Sequence, residues 1–260
     1  MWKRELEIAK GCAIEAGKAI MEIYQDESYW CVEYKEDESP LTIADKVSNQ
    51  IIVNTLQQAF PEHAILSEEE KDSKERLNND YCFVVDPLDG TKEFIKRNGQ
   101  FTVNIALSYK HKSVMGVIFV PVTGDLYYAL QGEGAYCENV KENKIQGLRV
   151  SDNTERLRCV MSSSHNCLQM DELIKKYNLH DFVKIGSSLK GAIVARGDAE
   201  IYFRFNPTME WDTAAMQCIV EEAGGIFRQM DDSEMLYNRE NSLNEKGFYV
   251  INCEKNRLKL

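Results

Sequence analysis

The chain has 260 residues, 43% of them hydrophobic and 28% charged, with a formal net charge of −11. That size and composition suit one large core or two smaller ones, and no apolar run reaches the eighteen or so residues of a membrane span. The acidic balance excludes a sequence-independent nucleic-acid binder, which needs a basic face, but it admits a small anionic substrate if cations bridge the two.

The opening residues, MWKRELEIAKGCAIEAG, carry glutamates at positions 5, 7 and 15 inside an amphipathic pattern. A signal peptide does not look like that, so a cytoplasmic protein is expected. Leu6, Ala9, Ala13, Ala16, Ile20 and Tyr24 recur at three- and four-residue steps, the period of one helix face. Val47, Ile51, Thr55, Leu56, Ala59 and Phe60 form a second such face, closed by Pro61. Strands are then predicted over 63–67, 81–86, 103–109, 114–120 and 126–129, with short links that suggest an antiparallel meander. Beyond residue 152 the rhythm changes to strand 159–163, helix 168–177, strand 182–185, helix 188–196, strand 200–205 and helix 212–223. Alternation of that kind predicts a layered α/β half. Two closely packed subdomains are expected, 1–152 and 153–260. The eight cysteines make no CxxC pair, so neither a zinc clip nor a disulfide framework is expected, and the thiols should be free.

The chemistry concentrates where apolar runs meet acid. Tyr81-Cys82-Phe83-Val84-Val85 reads as a strand buried on both faces, and it stops at Asp86-Pro87-Leu88-Asp89-Gly90-Thr91. Two carboxylates in one tight turn repel, so one should protonate unless a cation lies between them. Oxygen ligands of this kind suit Mg²⁺ or Mn²⁺ rather than zinc. A short helix is predicted over 91–97, and its exposed amides after Gly90 offer a cradle for phosphate. More acid stands in the same relation to predicted elements: Glu68-Glu69-Glu70 directly follows Ala64-Ile65-Leu66-Ser67, and Asp212 stands where a helix begins. Taken singly, Asp86 and Asp89 could cap turns, Glu70 reads best as solvated, and Asp212 could be a plain N-cap.

Together these residues resemble the metal-dependent, lithium-sensitive phosphatase superfamily of inositol monophosphatase. The likeness rests on Glu68-Glu69, Asp86-Pro87-Leu88-Asp89-Gly90-Thr91 and Trp211-Asp212, with the tract Ser39-Pro40-Leu41-Thr42-Ile43-Ala44-Asp45. Within the superfamily it is most similar to bacterial 3′(2′),5′-bisphosphate nucleotidases of the CysQ type. Lys92-Glu93-Phe94-Ile95-Lys96-Arg97-Asn98-Gly99, Ser163-Ser164-His165 and Gly186-Ser187-Ser188-Leu189-Lys190 carry that closer likeness. Inositol monophosphatases usually follow the DPLDGT core with Asn-Phe and a proline-containing loop instead. Residues 71–80 and 137–147 resemble nothing in particular and read as variable loops.

The resemblance implies an α-β-α-β-α sandwich of the sugar-phosphatase type. It makes Glu68, Asp86, Asp89, Asp212 and the Leu88 carbonyl ligands of two or three Mg²⁺ ions, which Mn²⁺ could replace, with Glu69 helping to hold a further, weaker ion. Asp45, hydrogen-bonded to Thr91, would orient the attacking water. The cleaved phosphate is placed among Glu68, Leu88, Asp89, Gly90, Thr91 and Asp212, and the rest of a nucleotide at His165, Ser187, Lys190 and Arg204. By type and position, a lone histidine, a helix-end lysine and an edge-strand arginine more often face solvent. The expected reaction is hydrolysis of adenosine 3′,5′-bisphosphate to AMP and phosphate by a monomer. Its rivals are an inositol or other polyol phosphatase, and a phosphate sensor or protein-binding member of the fold without turnover.

Overall fold

The structure is a computed structural model in which residues 1–35, 38–162 and 167–259 are described. Helix α1 (Lys3–Tyr24) buries Leu6, Ala9, Ala13, Ala16 and Ile20, the face read from their spacing. It lies flat on a sheet because Gly17 has no side chain: a Cβ there would stand 2.3 Å from the Phe119 ring. Helix α2 (Ile43–Ala59) starts at a capping box, in which the Ala44 amide donates to Thr42 Oγ1 and the Thr42 amide donates to Asp45 Oδ2.

The first sheet has seven strands in chain order: β1 (Ala64–Ser67), β2 (Tyr81–Asp89), β3 (Thr102–Tyr109), β4 (Lys112–Val120), β5 (Asp125–Leu130), β6 (Gly134–Asn139) and β7 (Lys144–Gly147). From β2 onward every pairing is antiparallel, but β1 and β2 run parallel. The meander expectation therefore fails at its first step, because residues 68–80 are a crossover rather than a hairpin. Strands β6 and β7 replace the loop expected over 137–147. Every residue of β7 is exposed, so this polar edge strand carries no apolar alternation to read. Helix α3 (Thr91–Ile95) is two residues shorter than expected.

The second sheet contains β8 (Arg158–Ser162), β9 (Asp181–Ile185), β10 (Ile201–Arg204), β11 (Ile226–Gln229) and β12 (Phe248–Ile251), in the order β9-β8-β10-β12-β11. The first two pairings are parallel and the last two antiparallel. Neither β11 nor β12 was anticipated, each being a four-residue run with no periodicity of its own. Helices α4 (Leu168–Tyr177), α5 (Leu189–Ala195) and α6 (Glu210–Glu222) complete the chain.

Alternate residues of β2 face different layers. Phe83 and Val85 pack with Leu6, Ala13, Ile52 and Leu56 of α1 and α2. Cys82 and Val84 face a central core shared with Ala192 and Val194 of α5, Ala215 and Ile219 of α6, and Val160 and Tyr202 of the second sheet. On the far side, Ile201, Phe203 and Tyr249 pack under Met170 and Leu173 of α4. The result is the expected α-β-α-β-α sandwich. All eight cysteines are free thiols. Among the described residues no helix is long and apolar enough to cross a membrane.

Candidate active site

Parallel pairing of β1 and β2 sends both strand ends to the same edge of the sheet. Ser67 lies opposite Val85, so the next residues, Glu68 and Asp86, emerge side by side, and the Glu68 amide donates to the Val85 carbonyl at 3.1 Å. A register shift between Asp86 and Asp89 bends the end of β2, and the Leu88 amide donates to Asp86 Oδ1 at 3.1 Å. Gly90 then takes the left-handed conformation (φ 98°) before α3 begins at Thr91. Asp212 arrives from the other half of the chain. It is the third residue of α6 rather than the N-cap, and its Oδ2 accepts the Met209 amide at 2.7 Å.

Asp86, Asp89 and Asp212 each offer an oxygen within 4.8 Å of the others. Burial, joined by the charges of Glu68, Asp89 and Asp212, pushes the Asp86 carboxyl well above the usual carboxylate range. Burial and the Asp89 charge push Asp212 up to about 7. Glu68 is raised too, chiefly by burial. So many desolvated carboxylates ionise together only if a cation joins them. The donors are all oxygen, and they fit a hard divalent ion.

A lysine that sequence reasoning passed over stands beside this cluster. Lys35 Nζ donates to Glu68 at 2.8 Å and to Glu69 at 2.7 Å. Burial works against its charge, but the two carboxylates outweigh that and hold its pKa above the ordinary lysine value. Nothing in CVEYKEDESP marks that lysine out from its acidic neighbours; only the fold brings it to Glu68. Glu70 is exposed as expected, although it accepts a hydrogen bond from Asn49 at 2.6 Å.

Thr91 Oγ1 donates to Asp45 Oδ1 at 3.0 Å and lies 3.4 Å from the Leu88 carbonyl oxygen. The other Asp45 oxygen accepts the amide and hydroxyl of Thr42, so the carboxylate that caps α2 also orients Thr91. Burial raises the pKa of Asp45 against those hydrogen bonds.

Asp89 ties the two halves together. Its Oδ2 accepts the amide and the hydroxyl of Ser188, each at 2.6 Å, and Asn104 Nδ2 at 3.4 Å. Ser188 was read only as part of the Gly186–Lys190 tract and given no role, and Asn104 was not singled out, since an asparagine inside an apolar strand carries no motif. Next to Ser188, Ser187 has a positive φ of 47° and offers its carbonyl to Lys190 Nζ at 2.7 Å. Lys190 is buried rather than solvent-facing, and burial lowers its pKa. Arg204 ends β10, the middle strand of its sheet and not an edge, and its buried Nε has no hydrogen-bond partner among the described residues. A cleft of about 230 Å³ joins these parts and is lined by Glu68, Asp89, Thr91, Ser187, Lys190 and Arg204 among others. His165 lies outside the described residues.

Residues 1–255 match the inositol monophosphatase family. The chain is 40% identical over 239 residues to the 3′(2′),5′-bisphosphate nucleotidase CysQ of Salmonella typhimurium, covering 92% of this chain and 96% of that one. The crystal structure of CysQ from Bacteroides thetaiotaomicron superposes with a TM-score of 0.85 at 38% identity, covering 98% and 99% of the two chains. The extragenic suppressor protein suhB of Bartonella henselae superposes with a TM-score of 0.80 at 27% identity, covering 96% and 94%. By both its sequence and its fold, this chain belongs to the inositol monophosphatase family.

Proposed function

We propose that the protein is a Mg²⁺-dependent 3′(2′),5′-bisphosphate nucleotidase that hydrolyses adenosine 3′,5′-bisphosphate to AMP and phosphate. One observation carries this reading. A single cleft is lined by Asp89 and Asp212 of the acid cluster, by Thr91 of the Thr91–Asp45 pair, and by the cationic side chains of Lys190 and Arg204. A substrate with one phosphate to lose and another to be held fits that combination. The nucleotidase relatives, similar over nearly the whole chain, support the same reading.

Glu68, Asp86, Asp89, Asp212 and the Leu88 carbonyl would hold the ions, and Glu69 a weaker one. Bound there, Mg²⁺ supplies a water of lowered pKa and neutralises charge on the leaving oxygen. The protein's own part is positioning, which is most of what phosphoryl transfer needs. With its proton committed to Asp45 Oδ1, Thr91 Oγ1 keeps its lone pairs as acceptors and would take a hydrogen bond from the attacking water. Ser187, Lys190 and Arg204 hold the second phosphate through charge-assisted hydrogen bonds. Lithium inhibition and replacement of Mg²⁺ by Mn²⁺ follow from the same site.

The test is phosphate release from adenosine 3′,5′-bisphosphate and from inositol 1-phosphate, each with Mg²⁺ and with EDTA. Mg²⁺-dependent release, faster from the nucleotide, is expected. Preference for the inositol ester would replace this reading with a polyol phosphatase, and no release from either would replace it with a non-catalytic ligand binder.

A further inference from the structure

Helix α2 presents an unusual face to the first sheet. Asp45, Ser48 and Asn49 stand at i, i+3 and i+4, one above another on the same side, and only 2%, 0% and 6% of their surface is exposed. A helix packed on a sheet ordinarily buries apolar groups, as Ile52 and Leu56 do one and two turns later. These three are polar: Asp45 accepts from Thr42 and Thr91, while Ser48 and Asn49 spend their hydrogen bonds at or just beyond the ends of strands rather than on their middles. Ser48 Oγ donates to the Pro87 carbonyl at 2.6 Å. Asn49 Oδ1 accepts from Ser67 Oγ at 2.7 Å, and Asn49 Nδ2 donates to Glu70 at 2.6 Å.

The partners fall beside the acidic residues. Pro87 lies between Asp86 and Leu88, while Ser67 and Glu70 bracket Glu68 and Glu69. One helix face therefore grips both strand ends that carry carboxylates, and its third member, Asp45, fixes Thr91. From this geometry we infer that Ser48 and Asn49 are positioning residues of the metal centre, setting the separation between Glu68 and the 86–89 turn. The inference rests on the metal-dependent reading above. Groups that orient metal ligands typically contribute about 10–100-fold to metal affinity or activity.

The experiment measures Mn²⁺ binding to substrate-free protein, from the electron paramagnetic resonance of free Mn²⁺, alongside the melting temperature in EDTA. Ser48→Ala and Asn49→Ala should each weaken Mn²⁺ binding by about tenfold or more, and Gln50→Ala, on the exposed side of α2, should bind like wild type. A purely structural role predicts something else: a lower melting temperature in EDTA with wild-type Mn²⁺ affinity. That result in both alanine variants overturns the inference, and the paired variants protect it if one fails to fold. Should wild type itself take up no Mn²⁺, the metal reading falls and the inference falls with it. Wild-type binding with unaffected variants removes only the inference.

Discussion

Replacing Asp89 by Asn tests the site where its two duties meet. One oxygen of Asp89 holds Ser188 and Asn104, and the carboxylate shares a cluster with Asp86 and Asp212. The amide of asparagine has a single oxygen. If that oxygen stays with Ser188, the NH₂ group points at the cluster and cannot ligate a cation. If the amide flips, the NH₂ group opposes the Ser188 N–H, donor against donor. The first arrangement keeps the link between the sheets at reduced strength, since hydrogen bonds to charged groups contribute about 1.5–3 kcal/mol and neutral ones about 0.5–1.5. Loss of a negative charge also relieves Asp86 and Asp212, so the two effects on the metal-free fold oppose each other. The melting temperature in EDTA should shift by only a few degrees, at roughly 2–4 °C per kcal/mol for a domain of this size. Catalysis has no such compensation. Charge stabilisation by a bound metal is worth several kcal/mol, so kcat/KM for phosphate release should fall by about 10²–10³. The Mg²⁺-induced rise in melting temperature should shrink with it. A variant that turns over at the wild-type rate, with the wild-type Mg²⁺ response, would make Asp89 a turn residue and refute the reasoning.

Thr91→Ala should lower kcat by about 10²–10⁴, the usual range for proton-transfer groups, while leaving Mn²⁺ binding intact; a change confined to KM would place Thr91 in phosphate binding instead. Lys190→Met should cut kcat/KM on adenosine 3′,5′-bisphosphate by about one to two decades and leave inositol 1-phosphate hydrolysis untouched. Equal losses on both substrates would show that Lys190 does not read the second phosphate. The acid cluster also fixes a sign with pH: Asp212, raised to about 7 from an ordinary 3.8, binds more protons folded than unfolded between those values. Its contribution to the metal-free fold is thus full below about 3.8 and lost as pH rises through 7. A cation that takes the proton's place should stabilise more at high pH, so the gap between melting temperatures in Mg²⁺ and in EDTA should widen from pH 5.5 to 7.5. A gap that narrows would contradict it.

What was legible in the sequence follows from how each signal is encoded. Asp86 and Asp89 interrupt a buried strand, and a charge ending an apolar run is visible along the chain. The α1 face and the strands from 81 to 130 were visible for the same reason, since burial leaves a period. The parallel β1–β2 pairing was not. Periodicity reports which face of a strand is buried but not which way its neighbour runs, and here that direction is what sets Glu68 beside Asp86. Lys35 was hidden because its partners lie more than thirty residues away, in a stretch where one lysine among acids looks like solvated surface. Lys190 and Arg204 show the limit of residue type as a guide. By type alone they would face solvent, yet Lys190 is buried as the second residue of α5 and Arg204 ends a central strand.

The acid cluster exists only when the two sheets are docked, because Asp212 comes from α6 and the rest from the ends of β1 and β2. Besides the Asp89–Ser188 hydrogen bonds, that docking depends on small residues that let the layers approach closely. Helix α6 lies so close to β4 that a Cβ on Gly116 would stand 2.4 Å from the Ala215 carbonyl oxygen. Ala214, Ala215 and Ile219 continue the same contact into the central core. Burying this apolar surface is favourable in proportion to its area, and it draws together carboxylates that repel one another. The repulsion is therefore held in place by packing several residues away from it. Burial first, and then the nearness of the other carboxylates that the packing enforces, raise the carboxyl pKa values of Asp86 and Asp212. A divalent cation adds attraction to a geometry the core already enforces, which is the condition under which binding spends little on reorganising the protein.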